Sequence, residues 1–412
     1  MFKTTAAHRS WFEPAGADYY PAMSMFRRPS SVSAAVAAAL LSLGACARQV
    51  HYEPMAAPPD QTSSASAPSA SLYLVGDAGE DSPGRAAVLG HLYADLARME
   101  SEQPGVPVVV AFLGDNIYDV GAREDFKDED FGHLEAQVEA IEASSTAHAV
   151  FLPGNHDWAK GANDAVALDA VTIQERWLGE VARPERATFR PADGCPGPAG
   201  MDLGPDARIV FIDTEWLLRR PVSPCGTVED FYAALRDELA AHGERRVILA
   251  AHHPMATGGP HGGNIGAFHN GPFVYYLAVQ AGLSVQDIAS GRYGDMLDGI
   301  RKSIVESGVQ PLAFASGHDH SLQVIRLQGR DSPGFQLVSG SGSKTSPTDR
   351  IDGTRFAAGS HGYMRLDFGA DGNRLTVFGQ HEGDPGVRPL FSCTLVAGDE
   401  ESCPEARLAE DR

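Results

Sequence analysis

No apolar run in the chain is suited to crossing a bilayer. The stretch Val32 to Leu43 falls short of the ~20 residues that a spanning helix needs. Positive charge is scarce. Against 33 Lys+Arg the 412 residues carry 54 Asp+Glu, for a formal net charge of −21. Such a surface repels nucleic-acid backbones and anionic lipid heads, which argues against a nucleic-acid partner. Cysteine is scarce too, at five residues with none in the CxxC spacing of a structural zinc site. No internal repeat is visible, so a solenoid or propeller is not indicated.

The basic residues near the start are informative. Arg27-Arg28 precede the Val32–Leu43 run, which ends in Leu43-Gly44-Ala45-Cys46. The order of basic, apolar and small residues predicts a signal peptide over residues 1–46. Its end resembles a bacterial lipobox, in which the cysteine, here Cys46, is lipidated. An ordinary secretory signal with an incidental Cys46 is the alternative. Residues 1–22 look dispensable, with Met23 or Met25 as the start. Ala47 after the cysteine implies outer-membrane sorting. The expectation is an exported protein, lipid-anchored to a bacterial membrane or periplasmic. Residues 47–70, rich in Ala, Ser and Pro, read as a disordered tether. Cys195, Cys225, Cys393 and Cys403 remain, and an even number in an exported chain predicts disulfides. Nearest neighbours are expected to pair, although three connectivities are open.

From Ser71 the pattern alternates. Strands are expected at 71–76, 106–113, 147–152, 208–212, 246–251 and 310–315, with helices at 84–100, 131–143, 166–181 and 228–242. Then antiparallel strands follow at 322–327, 334–338, 362–368 and 374–379. This fits an α/β sandwich built on two sheets, spanning residues 71–385, with 386–412 as a C-terminal extension held by a disulfide. Within 262–300, Phe273 to Gln280 is expected to be an inserted helix or a lid.

Five polar clusters each follow an apolar strand, where α/β folds place their chemistry. They are Gly76-Asp77-Ala78-Gly79, Gly114-Asp115-Asn116-Ile117-Tyr118, Gly154-Asn155-His156-Asp157, His252-His253-Pro254 and Gly317-His318-Asp319-His320. Carboxylate, amide oxygen and imidazole together suit Fe, Zn or Mn. A carboxylate able to bridge, Asp115, would hold two metals about 3.5–4 Å apart. His318 and His320, two apart, would face one side if they lay on a strand.

In this order the five clusters resemble the calcineurin-like metallophosphoesterase superfamily, whose pattern runs GDxG, GDxx, GNHD/E, a strand-end His and GHxH. Tyr118 completes GDxxY, and the piece 316–328 is similar to the small, tartrate-resistant type of purple acid phosphatase. The resemblance covers roughly residues 71 to 380. It implies a four-layer α/β/β/α sandwich with two mixed sheets and a binuclear acid phosphomonoesterase that uses a metal-bound hydroxide on a small phosphate ester. It implies Fe(III) on Asp77, Asp115, Tyr118 and His320. A divalent ion (Fe, Zn or Mn) would sit on Asp115, Asn155, His252 and His318, with His253 as the other candidate in its motif. His156 would contact phosphate and assist the leaving oxygen, and Asp157 would orient it. His261 would be a second substrate-side histidine. Asn116, Asp319 and His253 would support the ligands from behind, as would Asp157. A phosphodiesterase or nucleotide hydrolase is the nearer alternative, and a non-catalytic binding lipoprotein the remoter one. No oligomeric state is specified.

Overall fold

Successive residues of the first strand, β1 (Ala70–Val75), face two different cores. Leu72 and Leu74 enter one apolar cluster and Tyr73 and Val75 another. A strand buried on both faces reads as a continuous apolar run, which is why it is legible as ASLYLV. The computed structural model describes residues 67–122, 128–180, 185–221, 225–262, 264–265, 268–269, 286–288, 290–370, 372–381, 383–399 and 402–406. The signal and lipobox residues with Cys46, nearly all of the tether, and the Phe273–Gln280 stretch lie outside the described residues.

The described residues form an α/β protein with two mixed seven-stranded sheets. The first continues from β1 to β2 (Val108–Phe112), β3 (Ala147–Phe151) and β4 (Ala187–Phe189), all parallel. On the other side of β1 it continues antiparallel through β14 (Gly362–Gly369), β15 (Gly372–His381) and β16 (Asp384–Leu395). In the second sheet β6 (Ala207–Phe211), β7 (Arg246–Ala250), β10 (Ala313–Ser316) and β12 (Phe335–Ser339) are parallel. The antiparallel strands β5 (Ala199–Leu203), β11 (Leu322–Arg326) and β13 (Thr354–Ala358) complete it. A separate two-stranded pair joins β8 (Asn264–Ile265) to β9 (Phe268–His269).

The inner faces meet through Leu74, Val109 and Ala111 on one side and Phe211, Ile248 and Ala315 on the other. The outer faces carry the helices α1 (Pro83–Glu102), α2 (Asp128–Glu139), α3 (Asp164–Glu180), α4 (Thr214–Arg219), α5 (Val228–Ala240) and α6 (Gly291–Ser307). Local signals set their ends. Ser82 caps α1 by accepting from the Arg85 N–H, with Pro83 opening the helix. Thr227 and Asp230 form a capping box on α5.

Three sequence expectations are corrected. The boundary at 385/386 falls inside β16, so residues 386–395 of the supposed extension are an edge strand of the first sheet. Residues 291–300, expected within the 262–300 insertion, open helix α6, which runs on to Ser307. Its stripe of Tyr293, Met296, Leu297, Ile300 and Ile304 has helical spacing, but three glycines dilute it. Finally, His318 and His320 lie in the loop between β10 and β11, not on a strand.

The disulfides join Cys195 to Cys225 and Cys393 to Cys403. The first spans a separation of 30 residues. Replacing both its cysteines by alanine should lower the unfolding free energy by about 3 kcal/mol through loop entropy, measured by urea titration.

Candidate metal centre

Asp77, Asp115, Asn155, His252 and His318 each follow the carboxyl end of a parallel strand: β1, β2, β3, β7 and β10 respectively. The two sheets therefore deliver their polar loops to one end of the sandwich. Three of these residues turn sharply, with φ of 58° at Asp77, 55° at Asp115 and 70° at His318. Left-handed backbone is costly for a residue with a side chain, and such strain gathers at functional sites. The glycines beside them serve close approach. A Cβ on Gly154 would overlap Asp115 Oδ1, and one on Gly317 would overlap Asp77 Oδ2.

Two sets of donor atoms converge, and Asp115 belongs to both. In the first, the Tyr118 hydroxyl lies 3.0 Å from Asp77 Oδ1, 3.0 Å from Asp115 Oδ2 and 3.2 Å from His320 Nε2. In the second, Asn155 Oδ1 lies 3.0 Å from His252 Nε2 and 3.2 Å from His318 Nδ1. The two imidazole nitrogens are 3.3 Å apart, and Asp115 Oδ1 is 3.4 Å from His252 Nε2. Asp77, Asp115, Asn155, His252 and His318 are all buried.

Hydrogen-bond accounting shows what the second set lacks. His252 Nδ1 faces the Leu113 carbonyl at 2.8 Å, and His318 Nε2 faces the Gln286 carbonyl at 3.1 Å. A carbonyl only accepts, so those nitrogens carry the protons. Burial lowers both histidines below the usual imidazole range, which keeps them neutral. The facing nitrogens are then lone pairs, pointed at the Asn155 and Asp115 oxygens with no proton between them. A cation satisfies four such donors, and the mixture of imidazole, amide and carboxylate fits Zn, Fe or Mn. In the first set the Tyr118 hydroxyl has one proton to give and faces the Asp77 and Asp115 carboxyl groups and the His320 imidazole. Burial, then the charges of Asp115 and Asp77, raise Tyr118 well above the usual phenol range. Unaided, the protein keeps a phenol there, and a phenolate would require a strongly polarising cation. Burial also lowers His320, to about 4.

The surrounding groups fix these atoms in place. Asp157 does not orient His156, contrary to expectation. Its carboxylate accepts from the backbone N–H groups of Gly154, Asn116 and Ile117 and from Asn116 Nδ2, stapling the second and third loops together. The Asp119 carbonyl instead receives the His156 Nδ1–H at 2.5 Å, which leaves Nε2 facing the site, 3.9 Å from Asp115 Oδ2. No side-chain motif could report this contact, because it is made by the backbone. Asn116 donates to the Leu152 carbonyl and stays behind the ligands. Asp319 accepts from the Thr257 hydroxyl and the His261 N–H, tying together two histidine-bearing loops. The His261 ring lies 4.1 Å from that of His318, centroid to centroid.

His253 is close enough to group with His252 and His318 among the described residues. Both its nitrogens are engaged, however, by Thr214 Oγ1 at 2.8 Å and Gln286 Oε1 at 2.5 Å. His252 has the free lone pair. Gln286 thus touches His253 through its side chain and His318 through its carbonyl, a role no sequence motif announced.

Burial, then the neighbouring Asp115 charge, raises Asp77 well above the usual carboxyl range in the absence of a cation. A carboxyl raised on folding holds its proton longer in the native state. Its stabilising contribution is complete below the unfolded value and disappears as pH rises through the folded one. Asp77→Asn should therefore raise the melting temperature of chelator-treated protein at pH 7 and change it less at pH 4, measured by calorimetry.

No protein-family model matches the sequence, and no curated protein does. Known structures do. The chain superposes on the structure titled "GAP50 the anchor in the inner membrane complex of Plasmodium" with a TM-score of 0.51 at 15% identity, over 83% of this chain and 97% of that one. At that identity the likeness speaks to architecture alone: two mixed seven-stranded sheets packed as a sandwich, here with a buried His/Asp cluster at the loop end.

Proposed function

We propose that this protein hydrolyses phosphate esters at a binuclear metal centre, and that monoesters are its substrates. The observation that carries the reading is the pair of donor sets sharing Asp115, the second with no proton between its imidazole nitrogens and the oxygens they face. Asp77, Asp115, Tyr118 and His320 would hold Fe(III). Asp115, Asn155, His252 and His318 would hold a divalent ion. Bound there, the two ions supply Lewis-acid stabilisation of phosphoryl charge and a water activated near neutral pH.

The chain's own residues complete the chemistry. His156 presents Nε2 beside the shared carboxylate, in reach of a phosphoryl group docked over the cluster. Burial lowers His156 below the usual imidazole range, so the imidazolium able to protonate a leaving oxygen is populated in acidic surroundings, in the sense of an acid phosphatase. His261 borders the other side, against His318. The two disulfides support an oxidising location, and with the lipobox-like Cys46 they support export and lipid anchoring.

A second reading has one observation in its favour. The Plasmodium structure bearing this architecture is titled an anchor, so the sandwich can serve without its chemistry being the point. The intact donor sets favour the enzyme.

His156→Ala should lower kcat on p-nitrophenyl phosphate by about 10²–10⁴-fold with an unchanged circular dichroism spectrum. Cleavage of bis(p-nitrophenyl) phosphate alone would refute the monoesterase assignment. The as-isolated protein should show a visible phenolate-to-iron band that Tyr118→Phe removes. A colourless, active zinc or manganese enzyme would refute the ferric ion and leave the hydrolase standing.

A further inference from the structure

Lysine stands at only five positions, 3, 127, 160, 302 and 344. Two of them lie at the rim of the metal centre. The Lys344 ammonium sits 3.6 Å over the Tyr118 ring and 2.5 Å from Glu80, so its charge is paired. Lys302, exposed on the outer side of helix α6, lies 3.8 Å from Glu306. Lys160 is exposed and, among the described residues, has no carboxylate partner. Its Nζ lies 3.2 Å from His156 Nε2. In the neutral imidazole, where His156 Nδ1 donates to the Asp119 carbonyl, Nε2 accepts from that ammonium.

This places Lys160 on the solvent side of the imidazole nitrogen whose buried side faces Asp115. A phosphoryl group docked over the ligand cluster turns its leaving oxygen toward His156. The substituent on that oxygen then runs outward past Lys160. An unpaired ammonium beside a site that gathers cations repels them, and an anion lying between relieves the repulsion. The transferred phosphoryl group faces the metal ligands. The anion beside Lys160 therefore belongs to the leaving group.

We propose that Lys160 selects phosphate esters whose leaving group carries a further anionic group, a carboxylate or a second phosphate, near the ester oxygen. The proposal rests on reading the site as a phosphate-ester hydrolase and names its substrate class.

The test is calorimetric binding of two inert ligands, benzylphosphonate and 3-carboxybenzylphosphonate, to metal-loaded full-length protein. Wild type should bind the carboxylated ligand about fivefold more tightly, the scale of a partly exposed ion pair. Lys160→Gln should bring that ratio close to one. Lys160→Arg and the surface control Lys302→Gln should keep it. A wild-type ratio of one overturns the proposal, as does a Lys160→Gln variant that weakens both ligands equally. The second result would put Lys160 on the transferred phosphoryl group. Binding is read without turnover, so the two readings fail separately. A protein that shows the ratio but cleaves no phosphate ester keeps the Lys160 assignment and loses the phosphatase. One that cleaves esters without the ratio does the reverse. Failure to bind either phosphonate overturns both.

Discussion

Too many lone pairs and too few protons meet at Asp115. Its two oxygens reach into different clusters, Oδ2 to the Tyr118 hydroxyl and Oδ1 to His252 Nε2. The cluster of His252, His318 and Asn155 cannot satisfy itself with the hydrogens it has. Buried polar atoms in that condition are costly unless something else neutralises them. The rest of the site follows from that demand. Asp157 staples the loops bearing Asp115 and Asn155, the Leu113 and Gln286 carbonyls fix the histidine tautomers, and the strained backbone at Asp77, Asp115 and His318 aims the side chains inward.

The sandwich makes such convergence possible. Parallel strands from two sheets end on the same side, so loops distant in sequence meet without long excursions. His318 and Asp77 are 241 residues apart, yet the His318 N–H donates to Asp77 Oδ2 at 2.9 Å. Behind the loops, the inner faces of both sheets hold the strand ends rigid. A site built this way can keep a bridging carboxylate in register with both clusters, as two-metal chemistry requires.

Much of this was legible in the sequence. Strands such as ASLYLV and VVVAF are apolar on both faces and announce themselves, and each proposed ligand lies in a loop that follows such a strand. The side chains that meet at Asp115 were all visible as motifs. What escaped was carried by backbone atoms or by context. The Asp119 carbonyl that directs His156 has no side-chain signature, and Asp157 looked like a partner for its neighbour His156 when it serves the amides of Gly154, Asn116 and Ile117 instead. The loop carrying His318 and His320 imitated a strand, because a two-residue spacing is all that a strand and this turn share. Strand β16 was hidden by Pro385 and Pro389, tolerable only because it lies at a sheet edge.

Metal stoichiometry tests the central claim most directly. Full-length protein, dialysed and analysed by plasma mass spectrometry, should carry two transition-metal ions per chain, one of them iron. His252→Ala should leave one ion and Asp115→Ala fewer still, each in protein that remains folded. A folded wild-type protein that binds no transition metal after exposure to iron, zinc and manganese would contradict the account. So would an Asp115→Ala variant that retains both ions.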